Sequence, residues 1–349
     1  VKAALFHGKQ DIRIEDVDVL EPGVGEVRLR NAYNGICGSD LHFYDTPETS
    51  GVDFSKPHPV TGRTLPQILG HEFSGTVDAV GAGVDTVKVG DRVSVFPMIS
   101  CGICSACARG QVNVCRVVSS YGTSSASGGL AEFSVVRVKD VHVLPDSVDL
   151  KLGALVEPMA VAWHAVRRSG IEAGQHALVV GGGPIGIGIA FALRARGVTD
   201  VTISEISPDR LAVLRTMGIA TVVDPAAADL GDHLREATGQ RGVDVAFDTA
   251  GGATGLTTAL AHLTPGGCAV ELAIDVTPRE IVPIHLVLNE LRVLGTLAYL
   301  PSDFDAVIAA MADGAYNTAA WVDVLTLDQI VPAIDDLRAA RRTKVLIRT

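Results

Sequence analysis

Four cysteines in one short run, Cys101-x-x-Cys104-x-x-Cys107-x7-Cys115, carry the clearest chemistry in this chain. Thiolates so spaced can close a tetrahedron around zinc, and four of them leave no position open to a substrate. The implied role is structural, because the lobe at about 98–118 has few apolar residues to fold around and the metal supplies its folding energy. A second set is scattered: Cys37 in Cys37-Gly-Ser-Asp-Leu-His42, His71 and Glu72 in Gly70-His-Glu-Phe-Ser-Gly75, and Glu157 in Val156-Glu-Pro-Met159. Thiolate, imidazole and carboxylate together suit a catalytic zinc with an open position. Taken singly, Cys37 also reads as a core thiol and His71 as a loop histidine.

The third constellation is a turn. An apolar run, Leu178 to Val180, meets Gly181, Gly182 and Gly183, and Pro184 then opens an uncharged segment to Leu193. Gly181-x-Gly183-x-x-Gly186 followed nineteen positions later by Glu205 is a dinucleotide fingerprint. The glycines allow a tight turn, close approach of a pyrophosphate and close helix–sheet packing, while the helix start offers free N–H groups to phosphate. Gly181, Gly183, Pro184, Ile185 and Gly186 are therefore candidate cofactor contacts. Glu205 is placed to accept from the adenosine ribose hydroxyls, which favours NAD. Arg210, one turn into the following helix, could instead neutralise a 2′-phosphate. The charge-free run 177–193 is too short and too broken by glycine for a membrane span.

The elements that must position these residues fall into two textures. With 349 residues the chain exceeds one ordinary core, and 47% apolar content with 20% charge fits a well-buried α/β protein. A formal charge of −11 argues against nucleic acid or an anionic membrane as partner. No charged-then-apolar leader is visible, so the expected location is the cytoplasm. Six cysteines, four of them clustered, suit metal ligation better than a disulfide framework. Short alternating strands up to about residue 150 predict a barrel-like β domain. From Lys151, strand candidates at 177–181, 200–204, 220–223, 243–248 and 268–274, spaced by the amphipathic segments 209–216 and 230–238, predict a doubly wound parallel sheet. The pattern breaks after about 290, and Lys344-Val-Leu-Ile-Arg348 suits a strand returning to the first domain. The expected division is 1–150 with 291–349, and 151–290. The Ser- and Gly-rich stretch 119–129 is the expected mobile loop, and Cys268 is expected in the core.

The motifs CGSDLH, GHEFSG, the four-cysteine lobe and GGGPIG occur in the order seen in zinc-dependent medium-chain alcohol dehydrogenases, and the resemblance covers nearly the whole chain. It implies a GroES-like β-barrel catalytic domain, a Rossmann NAD-binding domain and two zinc ions per chain, one catalytic and one structural. Cys37 and His71 would be catalytic ligands, with Glu72 and Glu157 both candidates for the carboxylate and Asp40 orienting His71. Glu157 stands where the ethanol-active branch has cysteine, which resembles the polyol and butanediol branch. Ser39 would bond the substrate oxygen and pass its proton through the cofactor ribose and His42 to solvent. Their plainer readings are a turn-capping hydroxyl and a surface histidine.

The function expected is hydride transfer between NAD and a small secondary alcohol or ketone. A vicinal diol or acetoin comes first, and a polyol or L-threonine is the alternative. A non-catalytic NAD-binding zinc protein is the rival from another class, and it leaves Cys37, Ser39 and His71 without a purpose. Phe43, the 43–69 connection and Tyr299 or its neighbours are expected to line the substrate site. The resemblance further implies a homodimer or homotetramer.

Overall fold

The strand Glu26–Gly35 buries Val27, Leu29 and Asn31 in alternation, the period of two expected of a strand with one face on a core. It pairs antiparallel with Glu72–Val80, with Phe133–Arg137 and with Lys344–Arg348. In that register Gly35 lies opposite both Glu72 and Leu346. These strands belong to a seven-stranded sheet; a three-stranded sheet of Asp11–Asp16, Lys2–Gly8 and Gln67–Ile68 accompanies it. The computed structural model describes residues 1–49, 52–274, 276 and 278–349. Two units emerge: Val1–Glu157 with Leu300–Thr318 and Val322–Thr349, and Pro158–Tyr299 with Ala319–Trp321.

Two expectations for the first unit need correction. The stretch 119–129 is not a loose loop: Ser119, Ser124, Ser125 and Ser127 are buried. Ser119 Oγ donates to the Ser124 carbonyl at 3.0 Å and Ser125 Oγ to that of Ser127 at 2.8 Å. Serine hydroxyls satisfy backbone groups here that a mobile loop would leave to water. Phe43 is 5% exposed and packs with Phe6, Leu69 and Val345 in a core cluster. Its ring meets Phe54 edge-on at 5.8 Å, and Phe54 in turn meets Phe6 at 5.5 Å. Burial of three aromatic faces outweighs presenting one of them to a substrate. Residues 50 and 51 of the 43–69 connection lie outside the described residues. Tyr299, also expected to line the site, is fully buried.

The second unit carries six parallel strands in the spatial order Thr221–Val223, Asp200–Ser204, His176–Val180, Val243–Asp248, Leu263–Glu271, Arg292–Gly295. That is the order 3-2-1-4-5-6 of a Rossmann sheet, whose ligands meet the carboxyl ends of the strands. The fifth strand begins at Leu263, earlier than the sequence pattern suggests, because Gly266 and Gly267 interrupt the apolar run without ending the strand. The loss of pattern after 290 hides a sixth strand, Arg292–Gly295, which is mostly exposed at the sheet edge and so lacks an apolar signature. Cys268 is 1% exposed, in the core as expected. Among the described residues, no helix is long and apolar enough to cross a membrane.

Candidate active site and metal centres

Sheet register brings the scattered ligands together. Glu26–Gly35 ends at Gly35, where Glu72 begins the neighbouring strand, and Cys37 follows two residues later. Cys37 caps the short helix Gly38–Asp45, and Asp40 Oδ2 accepts from the Cys37 backbone N–H at 2.9 Å. Ligand atoms of Cys37, His71 and Glu72 lie within 4.8 Å of one another. His71 Nδ1 turns toward Asp40 Oδ1 at 3.5 Å, and Nε2 faces Ser39 Oγ at 3.1 Å. The former pair is too long for a hydrogen bond, and neither atom has another partner. Burial alone would discharge His71, but Asp40, Cys37 and Glu157 together hold its imidazole well above the ordinary range. Burial likewise pushes the Asp40 carboxyl up, against the pull of His71. Glu157, in the first turn of Val156–Ser169 and 8% exposed, is outside the tight group of three, although its charge is felt at His71 and Lys344. His42 is exposed on the same short helix as Ser39.

Lys344 is the residue that pattern reading passed over. It starts the strand Lys344–Arg348, is 1% exposed, and donates to the Ile36 carbonyl at 2.9 Å and to Glu72 Oε2. Burial would discharge it; Glu72 first and Cys37 next keep it above the ordinary lysine range. Gly35 belongs to the same device, since a Cβ there would sit 1.9 Å from Glu72 Oε2. With Oε2 occupied, Glu72 Oε1 is left buried without a partner. An orphaned carboxylate oxygen beside a thiol and an imidazole is a donor set that fits zinc. Lys344→Met is expected to destabilise the metal-free protein by about 3–5 kcal/mol, because it strands a buried carboxylate. Denaturant unfolding with chelator present measures this, and an unchanged midpoint would show that Glu72 does not depend on Lys344.

The four-cysteine lobe is closer to a finished cage. Neighbouring sulfurs stand 3.5 Å apart for Cys104–Cys107 and Cys101–Cys115, 3.9 Å for Cys104–Cys115 and 4.0 Å for Cys101–Cys107. A zinc–sulfur distance of about 2.3 Å requires tetrahedral edges of about 3.8 Å. Backbone N–H groups of Cys107 and Arg116 draw the Cys104 thiol down to about 6, whereas burial pushes Cys115 up to about 11. A dication would remove that penalty. Ile103 is 90% exposed, so the lobe has little apolar interior of its own.

In the second unit, Gly183 caps the helix Pro184–Ala195, with Pro184 and Ile185 in its first turn. Gly181 has φ +102°, a conformation that glycine adopts without strain. A Cβ on Gly186 would meet the Gly181 carbonyl at 2.0 Å, so close packing of turn and helix requires glycine. A Cβ on Gly183 would meet only the Arg210 guanidinium, at 3.8 Å, leaving backbone open to a phosphate. Glu205 is 5% exposed and holds the turn: Oε2 accepts from Gly182 N at 2.8 Å, and Oε1 from Ile206 N and Ser207 N at 2.7 and 2.8 Å. Of about four acceptor positions on a carboxylate, one remains for a ribose hydroxyl. Arg210 lies 3.9 Å from Oε2.

Residues 23–146 match the alcohol dehydrogenase GroES-like domain, and residues 184–313 match the zinc-binding dehydrogenase family. The chain belongs to the zinc-binding alcohol dehydrogenases. Among relatives in this family, the (R,R)-butanediol dehydrogenase of Bacillus subtilis is 39% identical, over 97% of this chain and 94% of its own. The sorbitol dehydrogenase of the same organism is 33% identical over 96% and 93%. The crystal structure of 2R,3R-butanediol dehydrogenase from Bacillus subtilis superposes with a TM-score of 0.92 at 37% identity, covering 100% of this chain and 99% of that one. As a member of the family, the chain is an oxidoreductase built from a GroES-like domain and a Rossmann domain.

Proposed function

We propose that this chain transfers hydride between NAD and a small vicinal diol, with 2,3-butanediol or acetoin as first choice. The observation that carries the chemistry is that Cys37 from one segment and His71 with Glu72 from another bring their ligand atoms within 4.8 Å of one another, beside Ser39. The substrate class is supported by greater identity to the butanediol dehydrogenase than to the sorbitol enzyme. When bound, zinc supplies Lewis acidity toward an alcohol oxygen, and the nicotinamide ring of NAD accepts hydride. Cys37 Sγ, His71 Nε2 and a carboxylate of Glu72 or Glu157 would hold the metal; Glu72 Oε1 is the available oxygen at closest quarters. Asp40 Oδ1, which faces His71 Nδ1 at 3.5 Å, would favour the tautomer that leaves Nε2 for the metal. Ser39 Oγ would accept the substrate's hydroxyl proton as it gives up its own, and the exposed His42 would release a proton to water. In the second unit, the turn from Gly181 to Gly186 cradles the pyrophosphate and Glu205 bonds the ribose. Cys101, Cys104, Cys107 and Cys115 hold the structural ion.

We further propose a homodimer formed through the second unit. Among the described residues its edge strand Arg292–Gly295 pairs on one side only, and nearby Ile284, Val287 and Leu288 are 51%, 69% and 74% exposed. An unpaired edge flanked by apolar side chains suits pairing with a second copy. A monomer in sedimentation would remove this reading.

The test of function is a substrate and cofactor panel read by NADH absorbance. With NAD, kcat/KM for 2,3-butanediol should exceed that for sorbitol by roughly tenfold, in line with the greater identity to the butanediol dehydrogenase. NADP should serve less well, because Glu205 repels a 2′-phosphate. A sorbitol value equal to that for butanediol would refute the diol assignment. Equal use of both cofactors would transfer the ribose contact to Arg210. Phe43→Tyr is not expected to shift the substrate ratio, since the ring is in the core.

A further inference from the structure

Asp248 and Glu271 end adjacent parallel strands and lie opposite each other in register. Asp248 is fully buried; its Oδ1 accepts from Ala250 N at 3.0 Å and Gly251 N at 2.9 Å, while Oδ2 has no partner. Glu271 Oε1 accepts from Ala273 N at 3.1 Å, and Oε2 is likewise buried without a hydrogen bond. The two residues face each other across neighbouring strands, close enough that the charge of Asp248 is felt at Glu271. Two carboxylates cannot donate to each other, so buried oxygens that receive no hydrogen bond, Asp248 Oδ2 and Glu271 Oε2, call for one proton at the pair. Burial first, and the charge of Asp248 next, push Glu271 up to about 7, with Arg279 opposing.

The pair is built into the dinucleotide turn. Asp248 organises residues 249–252, and Thr249 Oγ1 donates to the carbonyls of Val180 and Gly181 at 2.9 and 3.0 Å. A Cβ on Gly181 would touch Thr249 Oγ1 at 2.9 Å, so the two turns are in direct contact. Arg279 closes the far side, with Nε donating to the Gly252 carbonyl at 2.6 Å and one guanidinium nitrogen 3.7 Å from Glu271 Oε2. The helix Gly255–Ala261 and the turn 249–252 carry no titratable side chain, and Arg292 of the neighbouring strand lies opposite Cys268, away from the pair. Among the described residues, Asp248, Glu271 and Arg279 are thus the charges in play.

We infer that Asp248 and Glu271 share a single proton that braces the 249–252 turn against the Gly181 turn and links dinucleotide binding to proton uptake. This rests on the dinucleotide reading of the second unit. With the proton in place the carboxyl pair and Arg279 sum to zero charge. Without it the sum is one negative charge beside a crevice that receives an anionic ligand. Binding the dinucleotide therefore favours the protonated pair, and a protonated pair favours binding by the same factor. Glu271 acts as a positioning residue.

Three measurements on the zinc-loaded protein test it. NADH affinity, followed by fluorescence, should weaken roughly fivefold between about pH 6 and pH 8.5. Calorimetry near neutrality, repeated in buffers of different ionisation enthalpy, should show net proton uptake. Glu271→Gln, whose amide can donate to Asp248 as the shared proton does, should bind at the low-pH strength throughout and abolish the Glu271-dependent uptake. The same pH slope in Glu271→Gln as in the unmutated chain would overturn the inference. Infrared titration without ligand separates the two readings: a carboxylic-acid band titrating near neutrality and absent from Glu271→Gln supports the shared proton, and its absence from the unmutated protein overturns it. Failure to bind NADH at any pH would overturn the dinucleotide reading and with it the linkage.

Discussion

His71→Ala should lower kcat by about a thousandfold or more, because the Lewis acid that contributes several kcal/mol to the transition state loses its imidazole ligand. Fold and melting temperature should change little. His71 immediately precedes a strand already secured by the Gly35–Glu72 pairing and by the Lys344–Glu72 ion pair, neither of which needs the imidazole. Elemental analysis supplies the second readout: of the two clusters able to hold an ion among the described residues, only the four-cysteine one should remain filled. Turnover retained within tenfold, or an unchanged metal content, would remove His71 from the site. Activity lost together with the fold would instead make the residue structural.

The other large effect concerns stability. Cys104→Ser breaks a cage whose sulfur spacings already match zinc, and serine is a poor replacement for a thiolate ligand. Beyond Ile99, which packs into the barrel core, the buried side chains of the lobe are Ala106, Asn113 and Cys115 itself, so apolar burial cannot compensate for the lost metal bonds. A fall of roughly 10 °C in melting temperature is expected, consistent with a loss of a few kcal/mol in a unit of this size. Chelation of the unmutated protein should reproduce it. A variant that melts with the unmutated protein while still lacking the ion would show that the lobe folds without metal.

The difference between these two centres explains what could be read from the chain alone. The sequence by itself determined the cysteine lobe and the glycine turn, since their parts lie within a few turns of chain and local spacing sets the geometry. Strands such as Glu26–Gly35 and Val243–Asp248 were legible for the same reason: period-two burial or a continuous apolar run is a local signal. Tertiary structure alone decided that Lys344 meets Glu72, because that contact depends on the register of two strands flanking Gly35 from far apart in sequence. A lysine opening an apolar strand looks like a solvated end until its neighbours are known. The same holds for Asp248 and Glu271, whose pairing exists only once two parallel strands end side by side. Phe43 and the 119–129 stretch were misread because composition records what a side chain can do, whereas packing selects which of those things it does. The aromatic ring found Phe54, and the serines found backbone carbonyls. The edge strand Arg292–Gly295 stayed hidden because it is mostly exposed, so backbone pairing with Leu263–Glu271, rather than apolar burial, holds it in the sheet.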